Sequence, residues 1–341
     1  MSGMHLMPFP SCWPKKPITE SASVSALLLI DNDRSNLSLK QFTSIYRAQL
    51  QWRPIAVLLI IAMIWGSNMA FVKLATRDIA PLFMAGIRSL VAAVCLFIWM
   101  KAKGLALFPS RMIIFHGVVA GLLFGTEFGL MFVGLKYTLA SRGYVILYVA
   151  PFVAALGAHF FLVDDRFNRW KAIGLVLAFG GLVVLFLKNL GTLSFEALPG
   201  DILFLVAGIL WGTTTVYIKK YLAQRADPLQ ILFYQLFFSA PFLFVFSLAL
   251  EHPVVSGFSL LTGFSLFYQC IIVAFLSYLV WFVMVSRYPV SLLHAFSFFT
   301  HVFGVIFSGI LILGEAISPN LILALIMVSL GMMLVNYRPS A

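Results

Sequence analysis

Residues Pro54–Ala75 read PIAVLLIIAMIWGSNMAFVKLA, with one charge in 22 residues, Lys73. Wound as a helix rising about 1.5 Å per residue, such a stretch crosses the roughly 30 Å hydrocarbon core of a bilayer. Residues 200–220 read GDILFLVAGILWGTTTVYIKK and repeat the design. Each stretch carries a Trp-Gly pair followed by a hydroxyl residue, Trp65-Gly66-Ser67 and Trp211-Gly212-Thr213. Each tryptophan is followed eight residues later by a lysine, Lys73 or Lys219.

The rest of the chain agrees with a membrane reading. Of its 341 residues 62% are hydrophobic and 10% charged, too few polar groups to cover a water-soluble globule. Spans are expected at 54–75, 81–100, 112–135, 141–162, 170–188, 200–220, 229–250, 263–286, 291–313 and 320–337. The breaks between them hold turn or charge signals such as Arg77-Asp78, Pro199-Gly200-Asp201, Asp227-Pro228 and Ser318-Pro319. Residues 1–50 differ: they are polar, proline-bearing, and hold one short apolar run, Ala26–Ile30. They are expected to form a partly disordered cytosolic tail, or to precede the true start of translation.

The net charge of +11 does not point to nucleic acid, because the basic residues are scattered singly between apolar runs. It fits the positive-inside rule instead. With the N-terminus in the cytosol, thirteen basic residues (among them Lys101, Lys103, Arg166, Lys220 and Arg225) fall inside and five (Lys73, Arg77, Lys136, Arg142 and Lys188) outside. Both termini are then cytosolic. Cys12, Cys95 and Cys270 make neither a disulfide framework nor a metal spacing. No metal and no cofactor is expected.

The two Trp-Gly marks lie 146 residues apart, and Tyr137, Asp164 and Gly180 recur as Tyr288, Glu315 and Gly331 at an offset of 151. Ordered marks at nearly one spacing, the change in offset needing only a short loop insertion, indicate an internal repeat. With five spans per half, the second half enters the membrane from the opposite side. The expected fold is therefore an all-α polytopic membrane protein of ten transmembrane helices in two inverted five-helix repeats, at 54–188 and 200–337.

The same residues resemble the EamA-like family of the drug/metabolite transporter superfamily over about residues 55–337. The likeness rests on Ile64-Trp65-Gly66-Ser67-Asn68 through Lys73, Gly86-Ile87-Arg88, Gly200-Asp201 leading to Leu210-Trp211-Gly212, and Gly314-Glu315 followed by Gly331. Two departures are Asp164-Asp165, where the family usually has Glu, and Pro151, which has no proline partner in the ninth span. The resemblance implies a secondary carrier that exports a small metabolite, amino acid or drug-like solute across a bacterial inner membrane. Monomer and homodimer are both compatible with it.

Polar residues inside apolar spans mark candidate sites, because burying them uncompensated is costly. Glu127 is the one acid deep in a span; it is a candidate to bind a substrate amine or to couple transport to a proton. Trp65, Ser67 and Asn68 in the first span, with Trp211, Thr213 and Thr214 in the sixth, are candidate cavity residues, although helix packing through Gly66 and Gly212 accounts for them equally well. Tyr144 and Tyr148 in the fourth span, Tyr278 and Trp281 in the eighth, and His294 in the ninth extend the candidate wall. Arg88, Lys73 and Lys219 are read as structural: a helix-pairing arginine and two snorkelling lysines. An intramembrane enzyme acting on a lipid-soluble substrate is the rival class, and the chain shows no His-Glu-x-x-His, Gly-x-Ser-x-Gly or Walker pattern to support it.

Overall fold

The computed structural model describes residues 52–161, 169–187, 196–223, 225–287, 299–315 and 317–336. The expected N-terminal tail, residues 1–50, and His294 lie outside them.

The described residues are helical throughout, apart from one isolated antiparallel bridge, Ile79 to Val255. The helices are α1 (Trp52–Ala75), α2 (Pro81–Ala102), α3 (Arg111–Gly134), α4 (Ala140–Ile146), α5 (Val149–Phe161), α6 (Arg169–Leu187), α7 (Leu198–Tyr221) and α8 (Pro228–Leu250). Next, α9 (Leu260–Phe267) runs through a π-helical stretch, Tyr268–Ser277, into α10 (Tyr278–Arg287). A helix at Phe299–Ile312 is π-helical from Gly304 onward, and α11 (Pro319–Asn336) is last. Among the described residues, seven helices are long and apolar enough to cross a membrane: Pro54–Ala75, Pro81–Ala102, Arg111–Gly134, Ala140–Phe161, Leu198–Tyr221, Pro228–Leu250 and Leu260–Met284. Three shorter apolar stretches, Ala172–Gly181, Phe299–Ile312 and Pro319–Gly331, fall at the other expected spans.

Local chemistry explains the boundaries. Pro81 and Pro228 start their helices, where a missing N–H costs nothing. Asp227 and Gln230 form a reciprocal capping box on α8. Ser110 caps α3 and Ser259 caps α9, each accepting a backbone N–H at 3.2 Å. The fourth span divides into α4 and α5 just before Pro151, whose ring crowds the carbonyl of Leu147 and supplies no N–H to it.

Large apolar side chains such as Ile98, Phe160 and Val176 point outward around the bundle, the surface a lipid environment requires. Inside, close approach replaces hydrophobic drive as the source of helix cohesion. Gly117, Gly121 and Gly125, one turn apart on α3, face Tyr234, Phe238 and Phe242 at the same spacing on α8. A methyl group at any of the three would meet its partner ring or the α8 backbone at 3.0 Å or less. α2 also packs on α8, α3 and α5 pack on α7, and α6 packs on α11.

One end of the bundle is tied by carboxylates. Glu251, at the end of α8, accepts the amides of Leu82 and Phe83 at 3.0 and 3.2 Å, at the start of α2. Glu315 accepts the amides of Ala140 and Ser141 at 2.8 and 3.0 Å, at the start of α4, and lies 3.6 Å from Lys73. Asp201 accepts Thr138 at 2.8 Å and pairs with Arg142 at 2.6 Å. Negative charge at these helix N-termini is favoured by the orphan amides and the helix dipole.

Candidate functional site

The buried stripe of α2 runs Met84, Ala85, Arg88, Ser89, Ala92, Ala93 and Leu96, so helical period alone carries Arg88 inward. Its side chain is 0% exposed. The guanidinium lies 4.0 Å from the centroid of the Phe128 ring and 5.7 Å from that of Tyr278. Such cation–π contacts offset only part of the desolvation of a buried cation. Glu127 is 3% exposed on the buried face of α3, one residue before Phe128.

Both charges line a cavity of about 510 Å³, part of which is open to the surroundings. Its wall is completed by Trp65 and Asn68 from α1, Tyr144 from α4, Trp211 from α7, Tyr278 from α10, and Thr300 and His301 from the 299–312 helix. Polar groups here are left over. Arg88 Nε, Nη1 and Nη2, Glu127 Oε2 and Asn68 Oδ1 have no hydrogen-bond partner among the described residues. No Arg88 nitrogen comes within 4.0 Å of a Glu127 oxygen, so the two charges share a room without forming an ion pair.

The aromatic wall is fixed by hydrogen bonds. Trp65 donates its indole N–H to Ser277 Oγ at 2.7 Å and stacks near Tyr278 and Trp281, with centroids 5.0 and 5.2 Å away. Tyr144 donates to the carbonyl of Trp65 at 2.6 Å and accepts the amide of Met69 at 3.3 Å. One residue along, Ser308 donates to the carbonyl of Gly66 at 2.7 Å and accepts the amide of Ala70 at 3.1 Å. Two hydroxyls from other helices thus bridge successive i, i+4 pairs in the middle of α1.

Of the candidates read from sequence, Trp65, Asn68, Glu127, Tyr144, Trp211 and Tyr278 come together around the cavity. Four others sit behind its lining. Ser67 bonds Tyr268 Oη at 2.7 Å, Tyr148 stacks on His301 at 3.9 Å, Trp281 backs Trp65, and Thr214 is buried without a partner for its hydroxyl. Thr213 is exposed and bonds the Ile209 carbonyl of its own helix at 2.8 Å. Lys73 is engaged by Thr138 O at 3.0 Å and by Glu315, and Lys219 is exposed. Among the lining residues outside the substrate candidates, two are polar groups of consequence, Arg88 and His301. The sequence reading makes Arg88 structural, although its place in the α2 stripe gives its direction. His301 lies seven residues beyond His294, hence on the same helical face.

A bundle of lipid-compatible helices around a pocket lined by opposed charges defines a multi-pass membrane transporter. The chain belongs to the EamA-like transporter family, which it matches over residues 52–187 and again over 198–337. It is 26% identical over 272 residues to the uncharacterized transporter YoaV of Bacillus subtilis, covering 80% of this chain and 92% of that one. An uncharacterized transporter of Archaeoglobus fulgidus is 30% identical, covering 72% and 84%. A probable amino-acid metabolite efflux pump of Salmonella typhimurium is 26% identical, covering 80% and 91%. A protein crystal structure shares the fold with a TM-score of 0.59 at 18% identity, covering 81% of this chain and 94% of that one.

Proposed function

We propose that the protein is a secondary carrier that moves a small solute, a metabolite, amino acid or drug-like compound, by alternating access, in the direction of export across a bacterial inner membrane. In this reading the chain forms ten spans in two inverted five-helix repeats, at 54–188 and 200–337, with both termini cytosolic. The observation that carries it is that Trp65 and Trp211, the matched marks of the two halves, line one cavity with a buried Arg88 and Glu127. A midplane site between two inverted halves is the arrangement that lets one half rock against the other around a fixed substrate. The double family match, one per half, supports the repeat. The efflux-pump relatives support the direction and a metabolite-sized solute.

Glu127 is the coupling group of this proposal. A carboxylate with one unpartnered oxygen in a buried cavity either holds a proton or faces a cation. A proton and a substrate amine therefore compete for it, and loading one expels the other. In proteoliposomes, a saturable counterflow of solute is expected, with flux that responds to an imposed pH gradient. Glu127→Gln is expected to abolish the response to the gradient. A variant that keeps the full pH-gradient response removes Glu127 from the coupling, and an absence of counterflow for every solute removes the carrier.

A further inference from the structure

Opposite charges in a poorly polarisable interior attract strongly, and an arginine side chain has the reach to close a short gap. Arg88 and Glu127 nevertheless stay more than 4.0 Å apart within one cavity. The guanidinium lies over Phe128, 4.0 Å from the ring centroid, and its three nitrogens have no hydrogen-bond partner of good geometry among the described residues. Buried ions keep their hydrogen-bond sites filled in almost every folded protein, so an under-bonded guanidinium and an unpartnered carboxylate oxygen lining one cavity point to a ligand with two charged ends.

We propose that this gap is a zwitterion site, with Arg88 receiving the carboxylate and Glu127 the ammonium of an α-amino acid whose side chain is uncharged. The proposal deepens the carrier reading of the same cavity and rests on it. Simpler ligands fit worse. A plain carboxylate satisfies Arg88 but brings a second negative charge beside Glu127. A plain amine satisfies Glu127 and leaves the buried guanidinium unmatched. A further charge on the side chain would find no partner in the described wall, because Arg88 and Glu127 are the only Asp, Glu, Lys or Arg among the described lining residues. The uncharged remainder of the solute instead meets Trp65, Trp211 and Tyr278, an amphipathic aromatic wall. The carbonyl oxygen of Asn68, also unpartnered, offers the ammonium a second acceptor.

The test uses the full chain in lipid nanodiscs and its own tryptophan fluorescence, since Trp65 and Trp211 line the site. L-leucine, L-methionine and L-phenylalanine are titrated, each beside its amide and its deaminated carboxylate. At least one amino acid is expected to bind saturably, with its amide and its deaminated acid each about 10-fold weaker or more. Arg88→Gln should erase the preference for acid over amide and keep that for amine over deaminated acid; Glu127→Gln should do the reverse. The analogue comparison uses the unaltered chain and stands whether or not the variants fold. An amide that binds as well as its amino acid, or no binding by any of the three, overturns the zwitterion site. Counterflow of some other solute in that case leaves the carrier reading intact. Tight amino-acid binding with no counterflow of any solute supports the site and sinks the carrier.

Discussion

At Gly304 a single missing side chain sets the width of the site. A Cβ there would land on the ring of Tyr144, and one at Gly66 would meet Phe303 Cβ and Gly304 N at 2.8 Å. α1, α4 and the 299–312 helix can meet at the cavity only because both positions are glycine. Gly304→Ala must displace a buried ring that bonds the Trp65 carbonyl at 2.6 Å. Overpacking of this kind costs about 1–3 kcal/mol. Gly104 is the contrast: its φ is +68° and nothing lies within 4 Å of its would-be Cβ, so Gly104→Ala meets only backbone strain, about 1 kcal/mol. Melting midpoints in detergent at one scan rate should therefore fall further for Gly304→Ala, which should also weaken solute binding; the reverse order would refute this account. At this scale the sequence was partly legible. Glu127 and Trp65 announce themselves by depth in an apolar run. Arg88 does not, because an arginine about seven residues into a span can equally snorkel to the interface. Its place in the α2 stripe gives the direction, but Phe128 and Tyr278, 40 and 190 residues later in the chain, supply the rings that receive it there.

Among the elements, α1 is the one whose behaviour depends on its neighbours. Tyr144 and Ser308 bridge the Trp65–Met69 and Gly66–Ala70 pairs from two separate helices. A side-chain hydroxyl engaged with a helix ladder is a recognised cause of bending, and here two sit in successive rungs. Removing either leaves buried backbone groups short of a partner, at about 1–3 kcal/mol each. Because the rungs are adjacent, the losses should not add: a cycle of Tyr144→Phe, Ser308→Ala and the double variant is expected to show a coupling of about 0.5 kcal/mol or more. Purely additive melting shifts would mean that the two hydroxyls act independently. Hydropathy placed α1, α2, α3, α7 and α8 within a few residues of their observed bounds, because long apolar runs ending at Pro, Asp or Ser leave little choice. It did not show the break between α4 and α5 or the π-helical turns at Tyr268–Ser277 and Gly304–Ile312. These depart from the regular helical period without any change in composition, so a hydropathy window passes over them.

For the whole molecule, the proposed rocking of one half against the other requires contacts at one mouth that can let go. The loop after α1 and the loop before α9 make such a contact. Ala80 N–H donates to Val254 O at 2.9 Å and Ser256 N–H to Asp78 O at 2.8 Å. The Asp78 carboxylate accepts the amide of Ser259 at 2.9 Å and the hydroxyl of Thr262. These hydrogen bonds from Thr262 and Ser259, helped by Arg77, hold the Asp78 carboxyl below its ordinary value of 3.8. A carboxylate whose folded value is lowered binds protons more weakly in the folded state. Its contribution is therefore complete above the ordinary value and is lost as pH falls through the lower, folded one. The contact should thus be unaffected between pH 7 and about 5, and should loosen only below the ordinary carboxylate range. Hydrogen exchange at the Ser259 amide, corrected for its intrinsic rate, is the measurement. Protection should hold down to about pH 4 and fall at more acid pH, while Asp78→Asn should show weaker protection with no acid step. An acid step of equal size in the variant would place the titrating group elsewhere, and the contact between the two loops would then be held by its backbone bonds alone.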